Sequence, residues 1–328
     1  MNDDVKMIRA CSIWHALDVI GDTATLLILE ASLLGSRRFD EFHAATGLRR
    51  ALLSDRLKRL VSSGLAKKVL YSESPVRHEY RLTDMGKGLL WSSLMMLRWE
   101  QNWSSPEGKC EVKLFHKTCG HVFKPIPMCL GCGKEVTAFD VSWAEGPGVG
   151  EVPLTYSRRR QLRGSAAEKP VTALMDESAQ VLGDRWASLV IRALFTGMNK
   201  FDEILADSGM ATNILSERLA WLQSINMIRQ HAYSIAPLRY EYRLTRKGVD
   251  YYNVLVMLLE WGDKHFASLD GPPLVLRHKG QRAHKLKPAV CCSACSQPLK
   301  WGEISYAVID PAAQAAKPAA RQRNALAG

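Results

Sequence analysis

Gly47-Leu48-Arg49-Arg50-Ala51-Leu52-Leu53-Ser54-Asp55-Arg56-Leu57-Lys58-Arg59-Leu60 is the stretch on which the fold turns. Leu52, Leu53, Leu57 and Leu60 fall at helical spacing, which predicts a helix over 50–63. Just upstream, 39–46 reads as a short helix closed by Gly47, and 26–34 as a strongly apolar helix ended by Gly35. Earlier still, Ile13, Leu17, Val19 and Ile20 give a short amphipathic helix that stops near Gly21. Two helices joined through the tight Gly47-Leu48 step make a helix-turn-helix. Downstream, the β-prone runs 66–72 and 77–83 flank Glu73-Ser74-Pro75-Val76 and read as a hairpin, the wing. A last helix is expected from Asp84 past Trp99, with Leu89, Leu90, Leu94, Leu97 and Trp103 available for a buried face.

The whole pattern is written twice. At an offset of 162, positions 16–86 and 178–248 align without a gap and agree at 27 of 71 places. Gly21-Asp22 returns as Gly183-Asp184, and Phe39-Asp40-Glu41 as Phe201-Asp202-Glu203. Arg56-Leu57 returns as Arg218-Leu219, and Glu79-Tyr80-Arg81-Leu82-Thr83 as Glu241-Tyr242-Arg243-Leu244-Thr245. A period this long is a duplicated domain rather than a solenoid. The expected fold is mainly α with small β wings: two tandem winged helix-turn-helix domains, each followed by a small Cys/His segment resembling a zinc ribbon. The expected boundaries are 1–104 and 171–267 for the winged helices and 105–143 and 268–309 for the Cys/His segments. Residues 144–170, rich in Gly, Pro, Ser and Arg, read as a flexible linker, and 310–328, rich in Ala, Pro and Arg, as a disordered tail.

The residues now carry a family resemblance. Cys11, Ala16-Leu17-Asp18-Val19-Ile20-Gly21-Asp22, Leu26-Leu27-Ile28-Leu29, Arg38-Phe39, Leu53-Ser54-Asp55-Arg56-Leu57 and Pro75 to Thr83 resemble the HxlR family of winged-helix regulators. The resemblance covers both copies, about half the chain. It implies DNA binding, dimeric assembly and control of neighbouring genes, often under a chemical or redox signal. Two departures stand out. The family tryptophan after Gly-Asp is Trp186 in the second copy but Ala24 in the first, and the family cysteine is Cys11 in the first copy but Ala173 in the second.

Composition agrees with a nucleic-acid partner. Apolar residues make up 47% and charged residues 23%, and the formal net charge is +11. Such an excess suits a polyanion, with solubility charge as the alternative. Apolar runs fall short of a membrane span and the N-terminus lacks a signal-peptide pattern, so a cytoplasmic, nucleoid-associated protein is expected.

In a helix-turn-helix the second helix enters the major groove and its first turns meet base edges. With Leu53, Leu57 and Leu60 turned inward, Arg49, Arg50, Ser54 and Lys58 face outward. Arg49 and Arg50 are candidates for bidentate guanine readout, while Lys67 and Arg77 on the wing suit phosphate or minor-groove contacts. Arg56 reads equally as a structural ion pair or a DNA contact. In the second copy the candidates are Thr212, Asn213, Ser216 and Arg239. Between 37 and 81 there are eleven Lys/Arg and five Asp/Glu, a net of +6, whereas 199–243 has five of each. The first copy is therefore expected to be the main DNA reader. Double-stranded DNA is the expected partner. The assembly expected is an intramolecular pseudo-dimer packed through first and last helices, with further pairing of two chains left open.

Eight cysteines in a cytoplasmic chain point to thiols or metal ligands rather than disulfides. Cys129-x2-Cys132 follows His116 and Cys119, and Cys292-x2-Cys295 follows His278 and His284. Paired Cys-x2-Cys knuckles with a distant second pair build tetrahedral zinc ribbons. Structural zinc is expected at His116, Cys119, Cys129 and Cys132, and at His278, His284, Cys292 and Cys295. In the second set Gln281 stands where Cys119 would, and His284 substitutes. The alternative is a set of buried or redox-active thiols without metal. The clusters lack a carboxylate placed to act on a metal-bound water, which argues against a catalytic ion. Cys11 reads as a small buried hydrophobe, or by its family position as a sensing thiol.

No nucleotide-binding glycine loop, nucleophile motif or pair of catalytic carboxylates marks an enzyme. The competing reading is a winged-helix protein-interaction scaffold without sequence-specific DNA binding.

Overall fold

A computed structural model of the chain describes residues 7–104, 111–153, 174–279 and 283–309. The first copy opens with β1 (Met7–Arg9), α1 (Ser12–Ile20) and α2 (Thr23–Leu33), followed by α3 (Phe39–Thr46) and the recognition helix α4 (Arg50–Ser62). The wing is β2 (Ala66–Glu73) with β3 (Val76–Leu82), after which come α5 (Asp84–Lys87) and α6 (Leu90–Trp103). Strands β4 (Glu111–His116), β5 (His121–Phe123), β6 (Pro125–Cys129), β7 (Val141–Glu145) and β8 (Glu151–Pro153) follow. The second copy repeats the order with α7 (Asp176–Gly183), α8 (Arg185–Phe195), α9 (Phe201–Ser208) and the recognition helix α10 (Thr212–Ser224). Its wing is β9 (Ile228–Ile235) with β10 (Leu238–Leu244), and α11 (Arg246–Asp250) and α12 (Tyr252–Phe266) follow. It closes with β11 (Leu274–His278), β12 (His284–Lys285), β13 (Pro288–Cys292) and β14 (Ile304–Ile309).

Local chemistry accounts for the helix-turn-helix. Glu41 accepts hydrogen bonds from the backbone N–H groups of Arg37 and Arg38 at 2.7 and 2.9 Å, closing the start of α3. Glu203 repeats this at α9 with Asn199 and Lys200, at 3.1 Å each. Each of these helices ends at a left-handed glycine, Gly47 at φ 63° and Gly209 at φ 64°, a conformation glycine adopts without strain. Leu53, Leu57 and Leu60 are at most 2% exposed, as are Leu215, Leu219 and Leu222 in the second copy. The last helix of the first copy differs from the sequence expectation, breaking after Lys87 into two pieces. Gly88 lies at the break, where an added Cβ would meet the Trp261 indole at 3.1 Å.

The two copies share one apolar core. Helix α1 packs on α12, α6 on α7, and α12 on α6, so first and last helices form the junction. The Trp99 indole N–H donates to the carbonyl oxygen of Lys247, and the Trp261 indole N–H donates to that of Met85, each at 2.9 Å. These bonds are partners at the offset of 162, the reciprocal contacts of a two-fold axis inside one chain.

Two expectations about the segments between and after the winged helices need correction. The stretch 144–153 is not linker. Strand β7 pairs with β11 and β8 with β1, so its backbone groups find ladder partners on distant parts of the chain. The rest of the expected linker up to 173, and the tail 310–328, lie outside the described residues. Nor do the two Cys/His segments fold apart. Strand β14 pairs with β4, β7 with β11, and β6 with β13, so every one of these ladders joins one copy to the other.

Candidate nucleic-acid interface and Cys/His centres

On the first copy, Arg49, Arg50, Lys58, Lys67 and Arg77 are exposed and Ser54 is half-buried. Arg49 is the N-cap residue of α4 and Arg50 its first residue, so both stand at the end that meets base edges in this motif. Arg50 lies 3.2 Å from Asp40 and over the Phe39 ring at 5.6 Å. On the wing, Lys67 is in register with Arg81, and Arg77 stands beside the turn opposite Ser72. On the second copy Thr212, Asn213, Ser216 and Arg239 are exposed, with the Ser216 hydroxyl donating to the Thr212 carbonyl oxygen at 3.0 Å.

Arg56 is not on that face. Its guanidinium Nε donates to Asp22 at 2.9 Å and its other end meets Asp55. Asp22 also caps α2, accepting from the Thr25 backbone N–H at 3.0 Å and the Thr25 hydroxyl at 2.7 Å. In the second copy Arg218 lies 2.6 Å from Asp184, which caps α8 through the Ala187 N–H at 3.0 Å. The structural alternative for Arg56 holds: a carboxylate at the start of one helix ties the recognition helix to it. The joint recurrence of Gly-Asp and Arg-Leu in the sequence was the available signal.

Cys11 is 7% exposed and stands at the N-cap position of α1 without a side-chain capping bond. Arg192, fully buried between Cys11 and Asp207, holds its positive charge against burial because both lie beside it. The Asp207 carboxylate also takes Arg9, 3.0 Å away. Nothing in the sequence pattern announced this cluster, since Arg192 and Glu30 occupy equivalent places with opposite charge.

The eight expected Cys/His residues come together, but in a different partition. One group is His116, Cys119, Cys292 and Cys295, the other Cys129, Cys132, His278 and His284, with the ligand atoms of each group within 4.8 Å of one another. The within-copy sets are thus corrected: each group takes two residues from each copy. The cause is the antiparallel β6–β13 ladder, in which Cys129 stands opposite Pro288 and Cys292 opposite Pro125. The knuckle at the end of each strand therefore lies beside the start of the other, next to that copy's upstream pair. His284 does join the second group, its Nε2 lying 3.3 Å from Cys129 Sγ.

The donor chemistry suits a metal. Cys119 is drawn down to about 6, first by the backbone N–H of His121, then by the His121 and His116 rings. Burial pushes the Cys129 thiol up, but the Lys287 N–H and the His284 ring outweigh it and leave it at about 6. A thiol held low is on its way to the thiolate that metals bind. His116 and His278 are both 1% exposed. These two groups, each drawn from the segments that follow both winged helices, could bind a metal.

Among the described residues, no helix is long and apolar enough to cross a membrane.

The profile of the HxlR-like helix-turn-helix family matches residues 19–108 and again 181–270, together more than half of the chain. An uncharacterized HTH-type transcriptional regulator of Mycobacterium tuberculosis is 41% identical over 138 residues, covering 42% of this chain and 87% of that protein. The HTH-type transcriptional regulator YodB of Bacillus subtilis is 30% identical over 91 residues, covering 27% of this chain and 81% of its own length. The crystal structure of diamide-treated YodB aligns at a TM-score of 0.25, with 28% identity over 29% of this chain and 93% of that one. Each relative thus corresponds to less than half of this chain.

Proposed function

We propose, for a chain that belongs to the HxlR-like helix-turn-helix family, that it binds operator DNA sequence-specifically from two reading heads in one polypeptide, the first copy dominating. The observation that carries this reading is the pair of exposed arginines, Arg49 and Arg50, where α4 begins, on the copy whose reading region is net +6 while its counterpart is neutral. An arginine fork matches the two acceptors of guanine in the major groove. Arg50 releases Asp40 to do so; both side chains are largely exposed, 67% and 83%, and such a pair is worth at most about 1 kcal/mol. Lys58, Lys67 and Arg77 add phosphate contacts that fix register. Ser54, half-buried, is placed for a secondary base contact. The second copy reads through Thr212, Asn213 and Ser216, with Arg239 on its wing, and has fewer charges to hold it on the backbone. The regulator works on the bacterial nucleoid, as one pseudo-dimeric chain.

The test is binding to a site selected from a random DNA pool, measured across a salt series. Arg50→Ala is expected to cost about 1–3 kcal/mol and relax base preference, while Lys67→Ala weakens all DNA alike and lowers the salt slope by about one unit. The set Arg49, Arg50 and Arg77 to Ala is expected to damage binding far more than Thr212, Asn213 and Arg239 to Ala. Equal damage refutes the dominance of the first copy. Wild-type binding that ignores both salt and sequence favours the interaction-scaffold reading instead.

A further inference from the structure

We propose that the chain carries two structural zinc sites, each completed only by residues of both copies, which clamp the two winged helices into one rigid body. The first site is His116 and Cys119 from the first copy with Cys292 and Cys295 from the second. The other is Cys129 and Cys132 from the first copy with His278 and His284 from the second.

The spacing of the donor atoms carries the assignment. Zinc–sulfur and zinc–nitrogen distances of about 2.3 and 2.05 Å at tetrahedral angles put S···S edges near 3.8 Å and S···N edges near 3.6 Å. In the first site Cys119 Sγ and Cys295 Sγ each lie 3.4 Å from His116 Nδ1, and Cys119 Sγ is 3.9 Å from Cys292 Sγ. In the second, Cys132 Sγ is 3.2 Å from His278 Nδ1 and Cys129 Sγ is 3.3 Å from His284 Nε2. The sulfurs of Cys119 and Cys292 are far too distant for a disulfide, which needs about 2.05 Å. They are spaced as two corners of a tetrahedron.

The surroundings are built for the same purpose. Each knuckle turns through a left-handed residue, Gly133 at φ 68° and Ser296 at φ 58°, whose N–H donates back to the carbonyl oxygen of Cys129 or Cys292 at 2.8 Å. The Ala294 N–H points at Cys292 Sγ from 3.4 Å, as amides do around thiolate ligands. Gly131 packs so closely that an added Cβ would stand 3.0 Å from the His284 ring. The Glu303 carboxylate lies 3.7 Å from Nε2 of His116, on the side of the ring away from the sulfurs. Carboxylates stand behind metal-bound histidines in this way, although at this separation no hydrogen bond to the ring is made. Four protein donors per site, and no open position, describe a structural rather than a catalytic ion. Thiolate and imidazole in tetrahedral array select zinc.

The clamp fastens the junction on which the DNA-reading geometry depends. Strands β6 and β13, which end in the two knuckles, both pack against α6, and β13 also packs against α12. One ion ties β13 to β4 and the turn after it, and the other ties β6 to β11 and β12. By fastening both ends of the β6–β13 ladder they hold the last helices of both copies, and with them the separation of α4 and α10. The assignment stands apart from the DNA reading, because its test measures metal and not DNA.

Metal analysis and native mass spectrometry of the full chain are expected to find two zinc ions. Cys119→Ser/Cys295→Ser is expected to retain one zinc, and Cys119→Ser/Cys132→Ser none. Ligand sets confined to single copies give the reverse, none and one, and that result overturns the proposal. X-ray absorption on the variant with one zinc is expected to show two sulfurs and two nitrogens. If the variants do not fold, the wild type decides the matter. On stepwise chelation, alkylation mapped by peptide is expected to expose Cys119, Cys292 and Cys295 together, and Cys129 with Cys132 separately. Joint exposure of Cys119, Cys129 and Cys132 overturns the pairing, and a folded chain holding no zinc, or iron in its place, overturns the metal.

Discussion

Asp184→Ala tests whether the recognition helix is anchored as described, and its cost can be worked out part by part. Asp184 caps α8 through the Ala187 N–H and meets Arg218 of α10 at 2.6 Å, with the two side chains only 9% and 6% exposed. Losing the cap costs about 1 kcal/mol. Removing one partner of a buried pair costs about 3–5 kcal/mol, because the other charge stays buried without compensation. Arg218 keeps Glu217 at 3.2 Å, which puts this part at the lower end. The sum is about 4 kcal/mol. The equivalent Asp22→Ala removes a cap and the Thr25 hydroxyl bond as well, but Arg56 there is 12% exposed and keeps Asp55. About 2–3 kcal/mol is expected at that position.

Chemical denaturation followed by hydrogen exchange at α8 and α10 is the suitable assay, since a two-copy chain need not unfold in one step. Asp184→Asn separates the two parts, retaining an acceptor for the cap while losing the charge. Adding Arg218→Met to Asp184→Ala is expected to restore stability, because it removes the stranded charge. A cost below about 1 kcal/mol for Asp184→Ala, or no recovery in the double variant, refutes the anchoring argument.

Glu30 is 4% exposed and burial pushes its carboxyl up to about 7 from 4.5, although the Leu174 N–H donates to it at 2.9 Å. The folded chain keeps this proton where the unfolded chain has shed it, so stability falls as pH rises from about 4.5 to 7, by up to roughly 3 kcal/mol. Glu30→Gln is expected to remove that decline in melts taken between pH 5 and 8. Trp99→Phe and Trp261→Phe each delete one of the reciprocal indole bonds, and near-equal losses of about 1–2 kcal/mol in thermal melts are expected if the junction is two-fold. Beside α2 and α6 of the first copy lies a cavity of about 220 Å³ lined by Leu33, Leu90 and Trp301. In the second copy Phe195 and Tyr252 fill the equivalent space, their rings 4.9 Å apart. Leu33→Phe is expected to raise stability by about 1 kcal/mol in thermal melts, and a loss would show that the ring overpacks the site and that the space is not the equivalent of the one Phe195 occupies.

What the sequence made legible was everything local. The leucine spacing in 52–60, the glycines at 47 and 209 and the β-prone runs around Pro75 each act within a few residues, so period and turn chemistry reveal them. The repeat supplied the junction as well, because two identical patterns with apolar first and last helices have few other ways to bury them. The partition of the Cys/His residues was hidden for a physical reason. Cys-x2-Cys spacing specifies half a site, and which two halves meet depends on strand pairing, here β6 with β13, between residues more than 150 positions apart. Strand β8 was hidden likewise, since its Gly- and Pro-rich surroundings read as linker and its ladder comes from the distant β1. Arg56 fell between the two cases: its recurrence was visible, its carboxylate partner was not.

The junction also shows why the two copies belong in one chain. Its symmetric contacts, such as the Trp99 and Trp261 bonds, would serve any pairing of two copies equally well. Its asymmetric contacts do not. Glu100 accepts from the Ser178 N–H at 2.9 Å, whereas the equivalent Gly262 lies so close to Ser12 that a Cβ would stand 2.5 Å from the Ser12 carbonyl oxygen. Two first copies meeting through this face would drive Glu100 into that backbone. Two second copies would lose the Glu100 carboxylate that receives the start of α7. Glu30, which accepts from the Leu174 N–H, and Asp207, which takes Arg9 of the first copy at 3.0 Å, impose the same choice. Contacts that fit one pairing and clash in others specify a partner rather than merely strengthen it. The face that would otherwise join two chains is therefore used up within one, always as one copy of each kind. On the proposed DNA-binding reading, a strongly basic head and a neutral head stand in fixed order, and the expected operator is two unlike half-sites rather than a palindrome.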